Sequence, residues 1–325
     1  MDWTTLLVAF GGGVFGAAFG GLNSFILVGL SATFGTGIFM ATGDPNFNNL
    51  VTWGPFLAPN VAFCGGMAAA AFANKQHLLP SGKDTSTALL GINSPQALVI
   101  GGIFGVIGYG LKILFDLMPE VNQLPWTNTM AMAININSFL IRFIFGRTGL
   151  FGQVPLSGNR WAKNDSDEWD PWHFGPIQLI LLSLAIGLPA AYISKLFPAS
   201  VSLIFGLVSF SLIFYHFGAK IPVTHHIALS AEFVAALSGN IWWGLAAALL
   251  AAFLGELFAS LFLNYGDTHI DPPALALVVI YSIVPILGIA ISGSQSLILP
   301  ISICFLIGLT GFLLLNSLHK PDSSD

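Results

Sequence analysis

Almost nothing in this chain can face water. Asp, Glu, Lys and Arg together make up 8% of its 325 residues and apolar residues 55%, with a mean hydropathy of +0.81. A soluble domain carries roughly a quarter charged residues, and so sparse a set cannot coat a water-facing surface. Most of the surface must therefore meet lipid. The chain reads as an all-α polytopic membrane protein of the cell membrane, with the lipid bilayer as its first partner.

Apolar runs broken by turn residues predict ten or eleven membrane helices. They lie near 4–20, 22–42, 55–73, 97–115, 128–146, 173–195, 197–217, 222–238, 240–264, 272–293 and 295–316. The first run follows "MDWTTLLVAF", which has no basic stretch ahead of it, so it is expected to stay as a span rather than be cleaved as a signal. Two runs, 55–73 and 222–238, are short and interrupted by Pro59 and Pro222. A helix shorter than about 20 residues does not cross a core of about 30 Å. Short, Pro-interrupted segments predict broken or re-entrant helices, which occur where protein or water shields the backbone.

The same two segments occupy matching places in two halves. "APNVAFCGGMAAAAFA" (58–73) can be laid on "IPVTHHIALSAEFVAA" (221–236), and "WTNTMAMAI" (126–134) on "HIDPPALAL" (269–277), which sets Asn128 opposite Asp271. This reading gives a first membrane repeat over 1–146, a polar connector over 147–172 and a second repeat over 173–293. An extra C-terminal helix and short tail fill 294–325. Five spans per repeat is an odd number, so the repeats are expected to be inverted. Basic residues at 75, 83, 147, 160, 163, 220 and 320 fall on one side of this arrangement. That side is expected to be cytoplasmic, which puts the N-terminus outside and the C-terminus inside.

In span count and paired short helices the plan resembles 5+5 inverted-repeat permeases and channels of the urea-channel type. The Leu-Pro-rich signature of urea channels is absent, so the resemblance implies an architecture and a transport role but no substrate.

Motifs narrow the chemistry further. "GGGVFG" (11–16) fits the dinucleotide pattern G-x-G-x-x-G, but it lies inside an apolar run rather than between a strand and a helix. Gly12, Gly16 and Gly20 read instead as a ladder for close helix packing. The small net charge of −5 carries no basic patch for nucleic acid, and Cys64 and Cys304 are too few for a disulfide framework. Lys112, Arg142 and Lys195 sit near helix ends, where their side chains are expected to snorkel to the headgroups. Tryptophans near segment ends read as interfacial anchors, with Trp53 and Trp126 as alternative pore-mouth residues.

Ionisable groups in the oily second half demand an explanation. A carboxylate at mid-bilayer costs about 2.5–3.5 kcal/mol even on insertion scales, so each must be protonated, paired or hydrated. The candidate pathway residues are His225, His226, Glu232, Glu256, Asp267, His269 and Asp271, joined by Asn60, Asn128 and Asn135 from the first half. Histidines and carboxylates grouped around water can take up and release protons. The expected function is therefore a transporter or channel for a small solute or ion between the repeats, proton-coupled, and not an enzyme. The alternative is a divalent-metal transporter or intramembrane metal-dependent enzyme using His225, His226, His269 and Asp271, although no H-E-x-x-H spacing occurs. No cofactor is implied, and a homo-oligomer is compatible with the plan.

Overall fold

The computed structural model describes residues 2–156, 159–161, 174–291 and 296–318. The helices are α1 (Trp3–Phe19), α2 (Gly21–Thr42), α3 (Ala62–Lys75), α4 (Pro95–Asp116), α5 (Thr129–Phe145), α6 (Pro176–Leu182), α7 (Leu188–Leu196), α8 (Leu203–Phe210), α9 (His225–Ser238), α10 (Ile241–Phe258), α11 (Pro272–Ile291) and α12 (Ile298–Leu318). A π-helical stretch, Ser183–Gly187, joins α6 and α7 into one rod. It falls just before Pro189, whose missing N–H an ordinary helical ladder cannot use. A 3-10 stretch, Ser211–Phe217, extends α8. All eleven apolar runs thus form helices.

Among the described residues, six helical rods are long and apolar enough to cross a membrane: Gly21–Thr42, Pro95–Asp116, Pro176–Leu196, Pro198–Phe217, Ile241–Leu263 and Ile298–Leu318. Local chemistry sets their starts. Ser94 and Asn240 cap α4 and α10 through bonds to the Ala97 and Trp242 amides. The segment expected to begin at Pro222 becomes helical only at His225, after the irregular residues 219–224. Half of the connector, including Lys163, lies outside the described residues, as does Lys320.

The two short helices match closely. α3 starts three residues after Pro59, α9 three residues after Pro222, and each runs for 14 residues, about 21 Å at 1.5 Å per residue. Their surroundings match too. In the first half α1 packs on α3 and α4, α4 on α5, and α2 on α3; in the second α7 packs on α9 and α10, α10 on α11, and α8 on α9. The halves meet where α2 packs on α8 and α5 on α11.

Small residues let the first half close tightly. At the crossing of α1, α3 and α4, a Cβ on Gly13 would overlap Gly101 O, and one on Gly101 would stand 2.8 Å from Gly13 O. A Cβ on Gly65 would sit 2.5 Å from Gly13 O. Gly12 and Gly16 back onto Phe56 and Ala62 just as closely, so the glycine ladder serves backbone approach. The second half cushions its equivalent crossing with methyl groups, Gly187 facing Ala248 and Ala231.

Arg142 corrects the snorkelling expectation. It is 1% exposed at the end of α5. Its Nε donates to Thr268 Oγ1 (2.6 Å), Nη1 to Gly149 O (3.2 Å) and Leu150 O (3.1 Å), and Nη2 to Phe262 O (3.0 Å) and Thr268 O (2.6 Å). Asp267 lies 3.8 Å from Nε. The chain folds back over the helix end, so the guanidinium is used by carbonyls of the connector and of the second half instead of reaching a headgroup. Nearby, Lys83 Nζ donates to Asn264 O (2.9 Å) and Leu22 N to Thr85 O (2.8 Å). Residues 20–23, 75–87, 145–152 and 260–268 are thereby gathered at one face, called here the first face.

Candidate functional site

Two cavities lie between the halves. The larger, about 470 Å³, is bounded at the first face by Ser81–Ser86 and Asn264 and deeper in by Leu22, Phe63, Leu212 and His269. The smaller, about 310 Å³, is bounded by Trp53, Asn128, Ser202, Phe205 and Tyr281, from the connectors and helix ends of the other face. Phe25, Pro59, Ile134, His225 and Asp271 line both. These five residues form the partition between the cavities.

Three of the five stand at helix starts, while Phe25 and Ile134 come from within α2 and α5. Pro59 precedes α3, His225 opens α9, and Asp271 precedes α11, while Asn128, before α5, lies in the wall of the smaller cavity. The pairing of Asn128 with Asp271 recurs in detail. Asn128 Oδ1 accepts the Ala131 N–H (3.0 Å) and Asp271 Oδ2 the Ala274 N–H (2.9 Å), each the amide three residues on. Both are helix caps and wall residues at once. The starts of α3 and α9 differ: neither Val61 nor Thr224 makes a side-chain cap. Backbone carbonyls serve them instead: Ala58 O accepts from the Val61 and Ala62 amides and Pro59 O from Cys64, while Thr224 O accepts from Ile227 and Ala228.

Aromatic rings fill the middle. Phe25 stands 4.6 Å from the His225 ring centroid, 5.8 Å from Phe63 and 6.1 Å from Phe205. Phe205 meets His225 edge-on at 5.8 Å and Trp53 at 5.8 Å. The short helices therefore approach by their N-terminal ends, through Phe25, rather than along their lengths. His225 is 7% exposed and its Nδ1 has no hydrogen-bond partner. His269 Nε2 lies 3.4 Å from Asp271 Oδ1 and its ring stands edge-on to Phe63.

The remaining candidates lie elsewhere. Glu232 is fully buried and accepts the amides of Ser202 (3.2 Å), Ile204 (2.7 Å) and Phe205 (3.4 Å), so its carboxylate caps α8 from a neighbouring helix. Glu256 accepts the Phe174 amide (3.3 Å) just ahead of α6. Asp267 accepts the Arg147 amide (2.5 Å) and the Thr148 hydroxyl (2.8 Å) at the first face. His226 turns toward Gly255 of α10. Asn60 donates to Gly108 O (3.0 Å), and Asn135 is buried with no partner for either amide atom. None of these six lines either cavity. Among the described residues no three His, Cys, Asp or Glu side chains converge as metal ligands, so His225, His226, His269 and Asp271 do not make the centre that the metal alternative needs.

The sequence offered little signal for the other wall residues. Phe25 is one of 28 phenylalanines, and Ile134 looks like any lipid-facing residue. Trp53 lines the smaller cavity, whereas Trp126 Nε1 donates to Phe115 O (2.9 Å). At the first face, burial pushes the Asp84 carboxyl up, but hydrogen bonds from Thr87 and Ser86 outweigh it and hold the group below the usual carboxylate range.

No curated protein and no solved structure matches the chain. One family model matches it twice, over residues 1–159 and over residues 155–300. The chain belongs to the family of unknown function DUF7973.

Proposed function

We propose that the protein is a cell-membrane transporter or channel that moves a small solute or ion between two inverted repeats, through the two cavities and across the partition between them. The observation that carries this reading is the set of five residues shared by cavities that approach from opposite faces. A midplane break where half-helix starts meet is a recurring way to build a solute site in a membrane. Matching of one family model to both halves, equal short helices and parallel packing support the repeats, and five helical rods per half supports their inversion. Lys75, Lys83 and Arg147 lie in or beside the segments gathered at the first face, and Arg160 donates to Ser260 O and Leu261 O there, which supports a cytoplasmic assignment of that face. Proton coupling would fall to His225, His269 and Asp271, the titratable groups nearest the break.

The test is a flux screen of ions and small metabolites across proteoliposomes, with Phe25→Ala and His225→Ala beside the wild type. The reading expects a saturable or conductive flux that Phe25→Ala accelerates or uncouples. A folded protein that carries no member of the panel, with both variants equally silent, would overturn it.

A further inference from the structure

We infer that the solute is an N-methylated organic cation of the quaternary ammonium class, held in the smaller cavity between aromatic rings and the Asp271 carboxylate. The inference rests on the transport reading above and names the class of its solute. Five of the seventeen residues lining the smaller cavity are Phe, Trp or Tyr, namely Phe25, Trp53, Phe205, Phe233 and Tyr281, against 13% of the whole chain. The larger cavity has three of twenty-one, close to the chain average, so the enrichment belongs to one compartment. Its rings stand as a corner rather than a stack. Phe25 meets His225 at 53° and Phe205 at 89°, Phe205 meets His225 at 90°, and Trp53 tilts by 49° against Phe205. Rings at such angles cover one another's faces only in part. Phe233 of α9 and Tyr281 of α11, stacked at 4.1 Å, add a further aromatic wall. A cation beside several such rings is attracted by their quadrupoles, and a cage of aromatic side chains is a recurring way to hold a quaternary ammonium.

Charge selects the sign of the solute, and hydrogen bonding selects the kind of cation. Among the described residues lining the smaller cavity, Asp271 is the only Asp, Glu, Lys or Arg, so the wall offers a formal negative charge and no basic side chain for an anion. The Asp271 oxygens are already in use: Oδ2 accepts the Ala274 amide (2.9 Å) and Oδ1 lies 3.4 Å from His269 Nε2. Asn128 Oδ1 is taken by the Ala131 amide (3.0 Å). A primary ammonium brings three N–H donors, each needing an acceptor that these engaged oxygens do not supply. A quaternary ammonium brings none. It asks only for a nearby opposite charge and for π and apolar surface around its methyl groups. A bare inorganic ion needs a ring of oxygens to replace its water, which aromatic walls do not provide. The volume of about 310 Å³ lies at the small end of the roughly 300–1,000 Å³ common to small-molecule sites, which suits a compact organic cation.

The test uses the purified full chain, with binding read by calorimetry in detergent and transport by flux in proteoliposomes. Three matched probes separate the terms: choline, its neutral isostere 3,3-dimethylbutan-1-ol, and ethanolamine, which keeps the charge but restores the N–H donors. Choline should bind the wild type at least tenfold more tightly than either analogue, a comparison that needs no variant to fold. Trp53→Leu, with Phe233→Leu as a second cage variant, should weaken choline at least tenfold and the neutral alcohol far less. Asp271→Asn, which keeps an acceptor for the Ala274 amide as Asn128 does for Ala131, should do the same. Choline binding that is absent, or no tighter than that of the alcohol or of ethanolamine, overturns the cage. Unchanged choline binding by the folded variants overturns its assignment to this cavity. Flux of other solutes without choline binding overturns the solute class while the transport reading stands. Choline binding without flux of any solute overturns the transport reading and leaves the cage as a binding site.

Discussion

Glu232→Gln isolates what a buried carboxylate does when it caps a neighbouring helix. The wild-type group faces only donors: Ile204 N at 2.7 Å on Oε1, Ser202 N and Phe205 N at 3.2 and 3.4 Å on Oε2. A glutamine of the same shape keeps one acceptor. With its oxygen on Ile204, its NH2 group confronts the other two amides and leaves both without a partner. An unsatisfied buried donor costs about 1–3 kcal/mol, and the two bonds lost here are long, so a total near 2 kcal/mol is expected from that principle. Glu232→Ala also opens a cavity and exposes the helix end to apolar neighbours, for about 3–5 kcal/mol on core-truncation experience. The assay is thermal and denaturant unfolding of the detergent-solubilised protein, followed by tryptophan fluorescence. Loss of stability should be accompanied by faster backbone amide exchange in residues 201–206, the segment that the carboxylate holds. A Gln variant within about 0.5 kcal/mol of wild type, with unchanged exchange there, would refute the capping role.

Arg142→Met should destabilise the protein by about 3–5 kcal/mol, the range for breaking a buried charge arrangement, and Arg142→Lys by less, because an ammonium reaches fewer of the same carbonyls; equal unfolding midpoints for all three proteins would contradict this. Gly65→Leu should abolish folding or shift the α1–α4 crossing, while Gly239→Ala, at a left-handed position with open space around it, should cost about 1 kcal/mol, as read by thermal melts in the same detergent. Asp84→Ala should loosen residues 81–87 toward protease. Since the folded-state Asp84 carboxyl sits below its unfolded value, its contribution is intact above about pH 4 and is lost as the pH falls further, so wild type and variant should converge in acid protease trials. Phe25→Ala should raise passive leak through the partition in dye-release measurements, and an unchanged leak would remove Phe25 from the partition.

The likeness of the short helices was legible because it rests on local chemistry. A proline three residues ahead of α3 and of α9, and a capping Asn or Asp before α5 and α11, are written in the sequence, and each pair begins at matching positions of the aligned motifs. The site was legible in part for the same reason: Asn128, His225, His269 and Asp271 belong to those starts. Glu232 and Glu256 were conspicuous as charges in oil, but which neighbouring helix start solvates each of them depends on packing across 28 to 82 residues of chain. Arg142 looked like a residue at a membrane surface, and only the return of residues 262–268 over the end of α5 buries it.

Burial of Arg142 also bears on how the molecule is made. Its Thr268 partner lies 126 residues further along the chain. At about 5–20 residues per second, the ribosome takes roughly 6–25 s to supply it. Through that interval the guanidinium has Gly149 O and Leu150 O within eight residues of it, but its Phe262 and Thr268 acceptors do not yet exist. The first half therefore leaves the ribosome unfinished at this end, and the second half completes it. Two separately expressed fragments divided within the connector should each be unstable alone and recover when produced together.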